Sequence, residues 1–426
     1  MGTLSSNINR GRLLTNSPFA TVAAPLRTSI TQVKIPRRPS LLIDGMTPDD
    51  AKGSIAAEWI DYNYTGRRTA AERVILYVHG GGYVITSKKT HRMITWRLSK
   101  YSQARVLSID YRLAPEATFP LPLHDVISAY AYLIDPPAGS GLPKYKPEQI
   151  TFAGDSAGGA LAAAAMLFCV SRASLSPPAC LALFSPYFDL SHQMPAWRLN
   201  KPHCYLPDGI QDPKSTSTSR SNPYVKSNTD LLNPLVSPIT ANDKSFPSLP
   251  PMLIQVGDAE RIRDDAIWFS EIGFPTQSIR LELYENQVHA FHMYAPLHKP
   301  SRVALNRAGR FIQEQTGSKQ FERPEVKHES VWIRDSDGFP VVPVTDVVSV
   351  IDDGAAELLR QGVWTLDMKS TSLFVDHEIT YQETGGKDAS FFDEFQKDLA
   401  IAETQLGDLG LSQTDDELVE EMLEPQ

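Results

Sequence analysis

Short apolar runs alternate with longer amphipathic stretches between residues 74 and 315 of this chain. Runs rich in β-branched residues are typical of buried strands, and the stretches between them have helical spacing. The predicted strands are residues 74–79, 104–109, 149–154, 180–185, 251–257 and 278–284. The predicted helices are residues 88–102, 124–134, 157–172, 264–273 and 301–315. The alternation predicts an α/β fold with a mostly parallel, doubly wound sheet that has helices on both faces.

The alternation is interrupted once and ends near residue 316. Residues 187–249 are rich in Pro, Ser and Asn, are too long for an ordinary loop, and predict a lid or cap that carries Trp197, Leu199 and Tyr205. We therefore expect a basic, flexible leader at 1–43, an α/β domain at 44–316 with a cap insert at about 187–249, and an acidic C-terminal extension at 317–426. Residues 390–409 have the pattern of a helix within that extension.

Charge and composition exclude several classes of protein. Residues 317–426 hold 25 of the 50 acidic residues but only 8 of the 41 basic ones, and the remaining basic residues form no stripe, so nucleic-acid binding is not expected. No apolar run is long enough for a transmembrane helix. Three scattered cysteines predict neither a disulfide scaffold nor a zinc site, and they favour a reducing compartment such as the cytoplasm.

The leader leaves two other locations open. Its first 43 residues contain six basic residues and no acid, which loosely fits a mitochondrial transit peptide. Its start, Met1-Gly2-Thr3-Leu4-Ser5-Ser6, fits the myristoylation pattern, and an acylated Gly2 would give reversible contact with a membrane surface. The sequence does not indicate an oligomeric state.

A G-x-S-x-G motif lies at Gly154-Asp155-Ser156-Ala157-Gly158, between a predicted strand and an Ala-rich helix. This context is typical of a nucleophile on a sharp strand-to-helix turn, where glycines leave room for the crowded backbone. A second motif, His79-Gly80-Gly81-Gly82-Tyr83, follows the first predicted strand. Its glycines let backbone N–H groups approach a substrate oxygen, as in the HGGG-type oxyanion loop that accompanies such a nucleophile. The two motifs together predict Ser156 as the nucleophile.

A general base is expected after the last predicted strand, because in this arrangement the order along the chain is Ser, then Asp or Glu, then His. His289 and His292 both follow that strand, and His289 is nearer to its end. For the acid, the residues after strand 251–257 offer Asp258, Glu260, Asp264 and Asp265. We expect Asp264 and Asp265 in the first turn of the next helix, where the helix dipole favours acids.

The sequence resembles the hormone-sensitive-lipase-like group of α/β-hydrolases, which includes the arylacetamide-deacetylase-like esterases. The matching stretches are HGGGY at 79–83, DYRLAPE at 110–116, GDSAGG at 154–159 and NQVHAF at 286–291. The resemblance implies Ser156 as nucleophile, His289 as base, and the amides of Gly81, Gly82 and Ala157 as oxyanion donors. It also implies that Arg112 and Glu116 fix the loop in which they lie.

The resemblance also implies one particular residue as the triad acid. Related enzymes place the acid five residues before the final acid of a stretch resembling D-P-L-R-D-[DE], and counting back from Asp265 gives Glu260. Here Glu replaces Asp and Arg261 replaces Pro, so Asp258 stays an alternative.

The residues and the resemblance together predict a serine carboxylic-ester hydrolase that works through an acyl-enzyme, with no metal or organic cofactor. The group's usual preference implies a short- to medium-acyl ester of an apolar alcohol as the substrate, with the insert lining the alcohol side. Two alternatives remain: an amidase or peptidase with the same triad, and a non-catalytic ligand receptor on the hydrolase fold.

Overall fold

A single ten-stranded sheet forms the centre of the fold in the described part of the chain. The computed structural model describes residues 12, 25, 27–62, 72–138, 143–172, 174–207, 222–316, 326–336 and 339–344. The strands are β1 (Thr28–Pro36), β2 (Ser54–Tyr62), β3 (Val74–Val78), β4 (Arg105–Asp110), β5 (Ile150–Asp155), β6 (Cys180–Phe184), β7 (Met252–Gly257), β8 (Ile279–Tyr284), β9 (Glu329–Ile333) and β10 (Val341–Pro343). Their order is β1-β2-β4-β3-β5-β6-β7-β8-β9-β10. Strands β4 to β9 of that order are parallel, whereas β1, β2 and β10 run antiparallel to their neighbours.

Helices cover both faces of the sheet. The α-helices are α1 (Arg92–Ser102), α2 (Leu121–Ile134), α3 (Ser156–Val170), α4 (Ala196–Leu199), α5 (Arg263–Ile267) and α6 (Lys299–Gln315), and α5 continues into a π-helical turn at Trp268–Gly273. Short 3-10 helices lie at Pro39–Leu41, Pro48–Ala51, Pro147–Gln149, Lys201–His203, Asn228–Leu232, Pro238–Thr240 and Phe291–Tyr294.

Strand β3 shows why the predicted strands read as continuous apolar runs. Val74, Leu76 and Val78 point into the apolar cluster that includes α2 and α3. Ile75 and Tyr77 point into the opposite cluster, which includes residues of α1 and α6. Because both faces are buried, neither needs polar side chains. The predicted doubly wound α/β architecture is confirmed, and the six predicted strands correspond to β3 to β8.

The sheet extends beyond both predicted limits of the α/β domain, and this corrects the expected boundaries. Strand β1 lies inside the predicted leader, pairs with β2, and buries Ile35 completely. Strand β9 lies inside the predicted acidic extension and pairs in parallel with β8. Positions 44 and 316 therefore do not mark the edges of the sheet. The predicted helix at 390–409 and the myristoylation pattern at the N-terminus lie outside the described residues.

The described parts of the predicted cap insert, 187–207 and 222–249, connect β6 to β7 through short helices and loops. One side of this connection packs against the core through Phe188, Leu231 and Ile239. Leu199 and Tyr205 are exposed.

Candidate active site

Ser156 stands on the tight turn between β5 and α3. Its φ is +51°, in the left-handed region that non-glycine residues rarely adopt. Gly158 permits this turn, because a Cβ at that position would lie 2.1 Å from the carbonyl oxygen of Val78. Gly154 is similarly crowded, since its Cβ would lie 2.6 Å from the carbonyl oxygen of Gly158. The strained backbone thus presents the Ser156 side chain at the carboxyl end of the sheet.

A continuous chain of hydrogen bonds links Ser156, His289 and Glu260. His289 Nε2 is 3.0 Å from Ser156 Oγ, and His289 Nδ1 is 2.9 Å from Glu260 Oε2. A carboxylate can only accept, so Nδ1 carries the proton and Nε2 of the neutral ring accepts from the serine hydroxyl. All three residues are buried, Glu260 completely. The structure therefore brings together the serine, histidine and glutamate that the sequence analysis selected.

Asp258 lies two residues before Glu260, and both its backbone and its carboxylate bond to neighbouring segments, the carboxylate to the backbone N–H groups of Asn286 and Gln287. Its N–H donates to the carbonyl oxygen of Tyr284 at 3.0 Å, and its carbonyl oxygen accepts from Asn200 Nδ2 at 2.9 Å. Burial raises the pKa of its carboxyl group above the ordinary value. Its side chain has no hydrogen bond to His289 among those of the described residues.

Asp264 and Asp265 lie in the first turn of α5, as expected. Asp264 Oδ2 accepts from the N–H of Ala196 in the insert at 2.8 Å, and Asp265 Oδ2 accepts from the N–H of Asp189 at 3.2 Å. These two carboxyl groups therefore hold the insert.

His292, the alternative base, is turned away from Ser156. Its Nε2 lies 3.1 Å from Gln255 Oε1, and its buried Nδ1 has no hydrogen-bond partner among the described residues. Burial lowers the pKa of His292 to about 3, so the ring is neutral at physiological pH.

The glycine loop after β3, residues 79–83, lies beside Ser156. Val78 is paired with Gly154 in the parallel β3–β5 register, so the residues that follow each strand meet at the same sheet edge. Gly81 and Gly82 have φ of +106° and +58°, values that favour glycine. Ala157, the third predicted oxyanion donor, is the second residue of α3. The loop and the helix start therefore lie next to each other at the carboxyl end of the sheet.

Asp155 holds the glycine loop through a hydrogen bond from Gly80 N, a role that the sequence analysis did not assign. Its Oδ1 accepts from Gly80 N at 3.1 Å and from the Tyr77 hydroxyl at 2.6 Å, and its Oδ2 lies 3.2 Å from His91 Nε2. A Cβ on Gly80 would lie only 2.3 Å from Asp155 Oδ2. The position next to the nucleophile was the available signal, but the partner His91 is 64 residues away along the chain.

Asp155 and His91 shift each other's pKa in the burial of the site. Burial by itself would raise the pKa of Asp155, but the facing His91 and the hydrogen bonds from His91 and Tyr77 bring it to about 2. Burial would lower the pKa of His91, but Asp155 raises it above its ordinary value. The loop is thus fixed by a carboxylate that stays ionised through the physiological pH range.

The loop 110–116 is fixed by ion pairs. Arg112 donates through Nε and Nη2 to both carboxylate oxygens of Asp125, at 2.9 and 2.8 Å. Glu116 accepts two hydrogen bonds of 2.8 Å from Arg12, which also donates to the carbonyl oxygen of Val84 at 2.7 Å. Arg12 in the predicted leader therefore contacts both this loop and the end of the glycine loop.

The insert reaches the base through Tyr205. The Tyr205 hydroxyl donates to the carbonyl oxygen of His289 at 2.8 Å, and the two ring centroids are 5.8 Å apart. Arg261, which follows Glu260, donates to the carbonyl oxygens of Trp197 and Leu206 at 2.7 and 2.8 Å. The insert is thus tied to the segments that carry both the acid and the base.

Comparison with known proteins identifies the family. A family model described as the α/β-hydrolase fold matches residues 75–293, just over half of the chain. An acetyl-hydrolase of Streptomyces hygroscopicus is 32% identical over 278 residues, which cover 64% of this chain and 85% of the relative. The carboxylesterase/phospholipase LipF of Mycobacterium tuberculosis is 31% identical over 253 residues, covering 58% of this chain and 63% of its own.

Solved structures agree with this result. A crystal structure of EstE5 soaked in ethyl alcohol has a TM-score of 0.58 at 28% identity and covers 74% of this chain and 92% of its own. An esterase from the bacterial hormone-sensitive lipase family has a TM-score of 0.54 at 27% identity, covering 74% of this chain and 100% of its own. The chain belongs to the α/β-hydrolase family, in its hormone-sensitive-lipase-like group. The predicted activity class, carboxylic-ester hydrolysis by a serine hydrolase, is confirmed.

The described residues contain neither a metal-binding cluster nor a membrane-spanning helix. Among them, no group of three or more His, Cys, Asp or Glu side chains is placed to hold a metal ion. Within the same residues, no helix has the length and apolar character needed to cross a bilayer.

Proposed function

We propose that Ser156, His289 and Glu260 are the catalytic triad of this ester hydrolase. The observation that carries the proposal is the hydrogen-bond chain of 3.0 and 2.9 Å from the serine hydroxyl to the buried carboxylate. Ser156 Oγ attacks the acyl carbon while His289 Nε2 takes its proton, and Glu260 stabilises the imidazolium that forms. His289 then gives the proton to the leaving alcohol. Water repeats the two steps on the acyl-enzyme and releases the acid.

The amides of Gly81, Gly82 and Ala157 are the proposed donors to the tetrahedral oxyanion. Support comes from the adjacency of the glycine loop and the start of α3, and from the left-handed backbone of both glycines. Donors that are already fixed need no reorganisation when charge develops on the oxygen. The Asp155–Gly80 hydrogen bond supplies that rigidity.

The proposed substrate is a short- to medium-acyl ester of an apolar alcohol. The leaving alcohol takes its proton from His289, so the alcohol must lie on the side of the base where Tyr205 and the insert lie. Tyr205 exposes 39% of its area there, and Leu199 of the same insert is 53% exposed. Residues 187–249 would then act as the cap that lines the alcohol side. The relatives named as esterases and as an acetyl-hydrolase favour this reading over an amidase or peptidase, and the intact triad disfavours a non-catalytic receptor.

We propose a cytoplasmic location because the three cysteines are buried thiols that form no disulfide with one another, as expected in a reducing compartment. Mitochondrial import and an acylated Gly2 are the alternatives. Fractionation of cells that express the tagged full chain, with a Gly2→Ala variant as control, separates the three locations.

A panel of p-nitrophenyl esters from acetate to palmitate tests the proposed reaction. We expect kcat/KM to be highest for the shorter acyl chains and to be lost in Ser156→Ala. The matched control is Ser102→Ala, which changes a buried serine of α1 away from the site. A preference for palmitate, or greater turnover of anilides than of esters, would contradict the substrate proposal.

A further inference from the structure

Ser185 occupies the junction between the acid and the base. It follows β6 with a φ of +45° and is fully buried. Its N–H donates to the carbonyl oxygen of Gln255 in β7 at 2.7 Å. Its hydroxyl donates to Glu260 Oε1 at 2.6 Å and accepts from the N–H of Ala290 at 3.1 Å. One hydroxyl group is thus bonded to the proposed triad acid and to the residue that follows the proposed base.

We propose that Ser185 is a positioning residue that holds the Glu260 carboxylate and the His289 loop in register. The proposal rests on the triad proposed above and adds a fourth side chain to it. Ser185 touches neither substrate nor reacting atoms and acts only through Glu260 and the backbone at Ala290.

Two hydrogen bonds besides the one to His289 hold the Glu260 carboxylate. Glu260 Oε1 accepts from the Ser185 hydroxyl and from Gly257 N, both at 2.6 Å, which leaves Oε2 for His289. The glutamate side chain has three rotatable bonds, one more than aspartate, so a fixed carboxylate needs more restraint. Hydrogen bonds to an ionised group are short and strong, and two of them on one oxygen set the plane in which the other meets the imidazole.

The Ser185 hydroxyl also holds the backbone at Ala290. Ala290 is in the left-handed region at φ +50°, directly after His289, and begins a short 3-10 turn. The Ser185 hydroxyl satisfies its N–H, which would otherwise be a buried donor without a partner. The same oxygen therefore fixes the acid and the chain that carries the base, so movement of one relative to the other is opposed.

Ser185→Ala and Ser185→Gly test this role together. Both remove the hydroxyl, but Gly accepts a φ of +45° more readily than Ala does. We expect kcat on p-nitrophenyl butyrate to fall about 10- to 100-fold in both variants, with KM within about threefold. The rate of labelling by an organophosphonate should fall by a similar factor, because the loss lies in nucleophile activation.

Ser102→Ala is the matched control. Ser102 is also fully buried, and its hydroxyl also donates to one backbone carbonyl and accepts from one N–H, those of Leu98 and Ala104. We expect this variant to lower the melting temperature and to leave kcat unchanged. A loss of kcat in all three variants that follows their loss of stability would show a general structural effect and overturn the proposal.

A double-mutant cycle with Glu260→Gln separates this proposal from the one on which it rests. If Ser185 acts through Glu260, Ser185→Ala should reduce kcat much less in the Glu260→Gln background than in the wild type. Full additivity, or retention of more than half of the wild-type kcat in both single variants, would overturn the positioning role while leaving the triad intact. Hydrolysis by Ser156→Ala at the wild-type rate would instead overturn the triad itself.

Discussion

Glu260→Gln replaces one carboxylate oxygen by an amino group at nearly constant size. Three donors converge on the wild-type carboxylate: Gly257 N and Ser185 Oγ on Oε1, and His289 Nδ1 on Oε2. An amide has one oxygen, so its NH₂ group must face some of these donors. If the NH₂ group faces His289, Nδ1 must accept, Nε2 then carries the proton, and the ring cannot take the proton of Ser156. If the oxygen faces His289, the NH₂ group opposes Gly257 N–H in a fully buried site.

Both arrangements remove the negative charge that stabilises the imidazolium. In serine hydrolases an amide at the acid position lowers kcat about 10⁴-fold, which is about 5.5 kcal/mol of barrier. We expect a loss of that order for Glu260→Gln, with little change in KM because the substrate does not contact the acid. Asp258→Asn is the matched control, since the carboxylate bonded to His289 is that of Glu260, whereas the Asp258 carboxylate accepts from the backbone N–H groups of Asn286 and Gln287. We expect its kcat to stay within about tenfold of wild type.

We would measure steady-state kcat and KM of both variants, Glu260→Gln and Asp258→Asn, on p-nitrophenyl butyrate. Circular dichroism would confirm the fold of each variant. The reverse order of severity would make Asp258 the acid. A Glu260→Gln enzyme that retains more than about a hundredth of the wild-type kcat would also refute the assigned role of the carboxylate.

Three further outcomes are expected. Tyr205→Phe removes one neutral hydrogen bond to the backbone of His289 and should lower kcat about 3- to 10-fold. Tyr205→Ala should also raise KM for esters of bulky alcohols. An unchanged alcohol preference in the Ala variant would argue against the cap role. Truncation after Thr316 removes β9 with the buried Val331 and Ile333, which should lower the free energy of unfolding by roughly 3–6 kcal/mol. The melting temperature of this variant should therefore lie well below that of a truncation after Val344. Equal melting temperatures would mean that β9 contributes nothing to stability. Burial lowers the pKa of His292 to about 3, so below pH 6.5 the unfolded state binds more protons than the folded state. The free energy of unfolding should therefore fall on acidification, by up to about 1.4 kcal/mol per pH unit from this group. Melting curves between pH 5 and 8 should show a weaker acid dependence in His292→Gln than in the wild type, and an unchanged dependence would contradict this.

The sequence predicted the central strands well because their signals are local, and the signal for the proposed nucleophile is local too. The end of strand β5 and Ser156 lie within one short motif; β3, β6 and β7 are nearly continuous apolar runs, and β8 alternates apolar and charged residues, which is also typical of a strand. Strand β1 was missed because Ile35 is its one fully buried residue, and the basic residues around it suggested a leader. An edge strand of this kind has weak periodicity.

The contacts that organise the site are not local. The hydrogen bond from Ser185 to Glu260 joins residues 75 positions apart, and that from Tyr205 to His289 joins residues 84 apart. Such pairs meet only because β6, β7 and β8 are neighbours in the sheet, which no pattern in a single segment reveals. Glu260 lies beside His289 at the position that the motif resemblance implies, whereas the local sequence alone also offers Asp258.

Covalent labelling tests the central claim most directly. The full chain is incubated with a fluorophosphonate, digested, and mapped by mass spectrometry, while residual p-nitrophenyl butyrate hydrolysis is followed in parallel. We predict one adduct, on Ser156, whose formation matches the loss of activity, and neither labelling nor hydrolysis in Ser156→Ala. An adduct on another residue that inactivates the enzyme, or hydrolysis that persists in Ser156→Ala, would contradict the account.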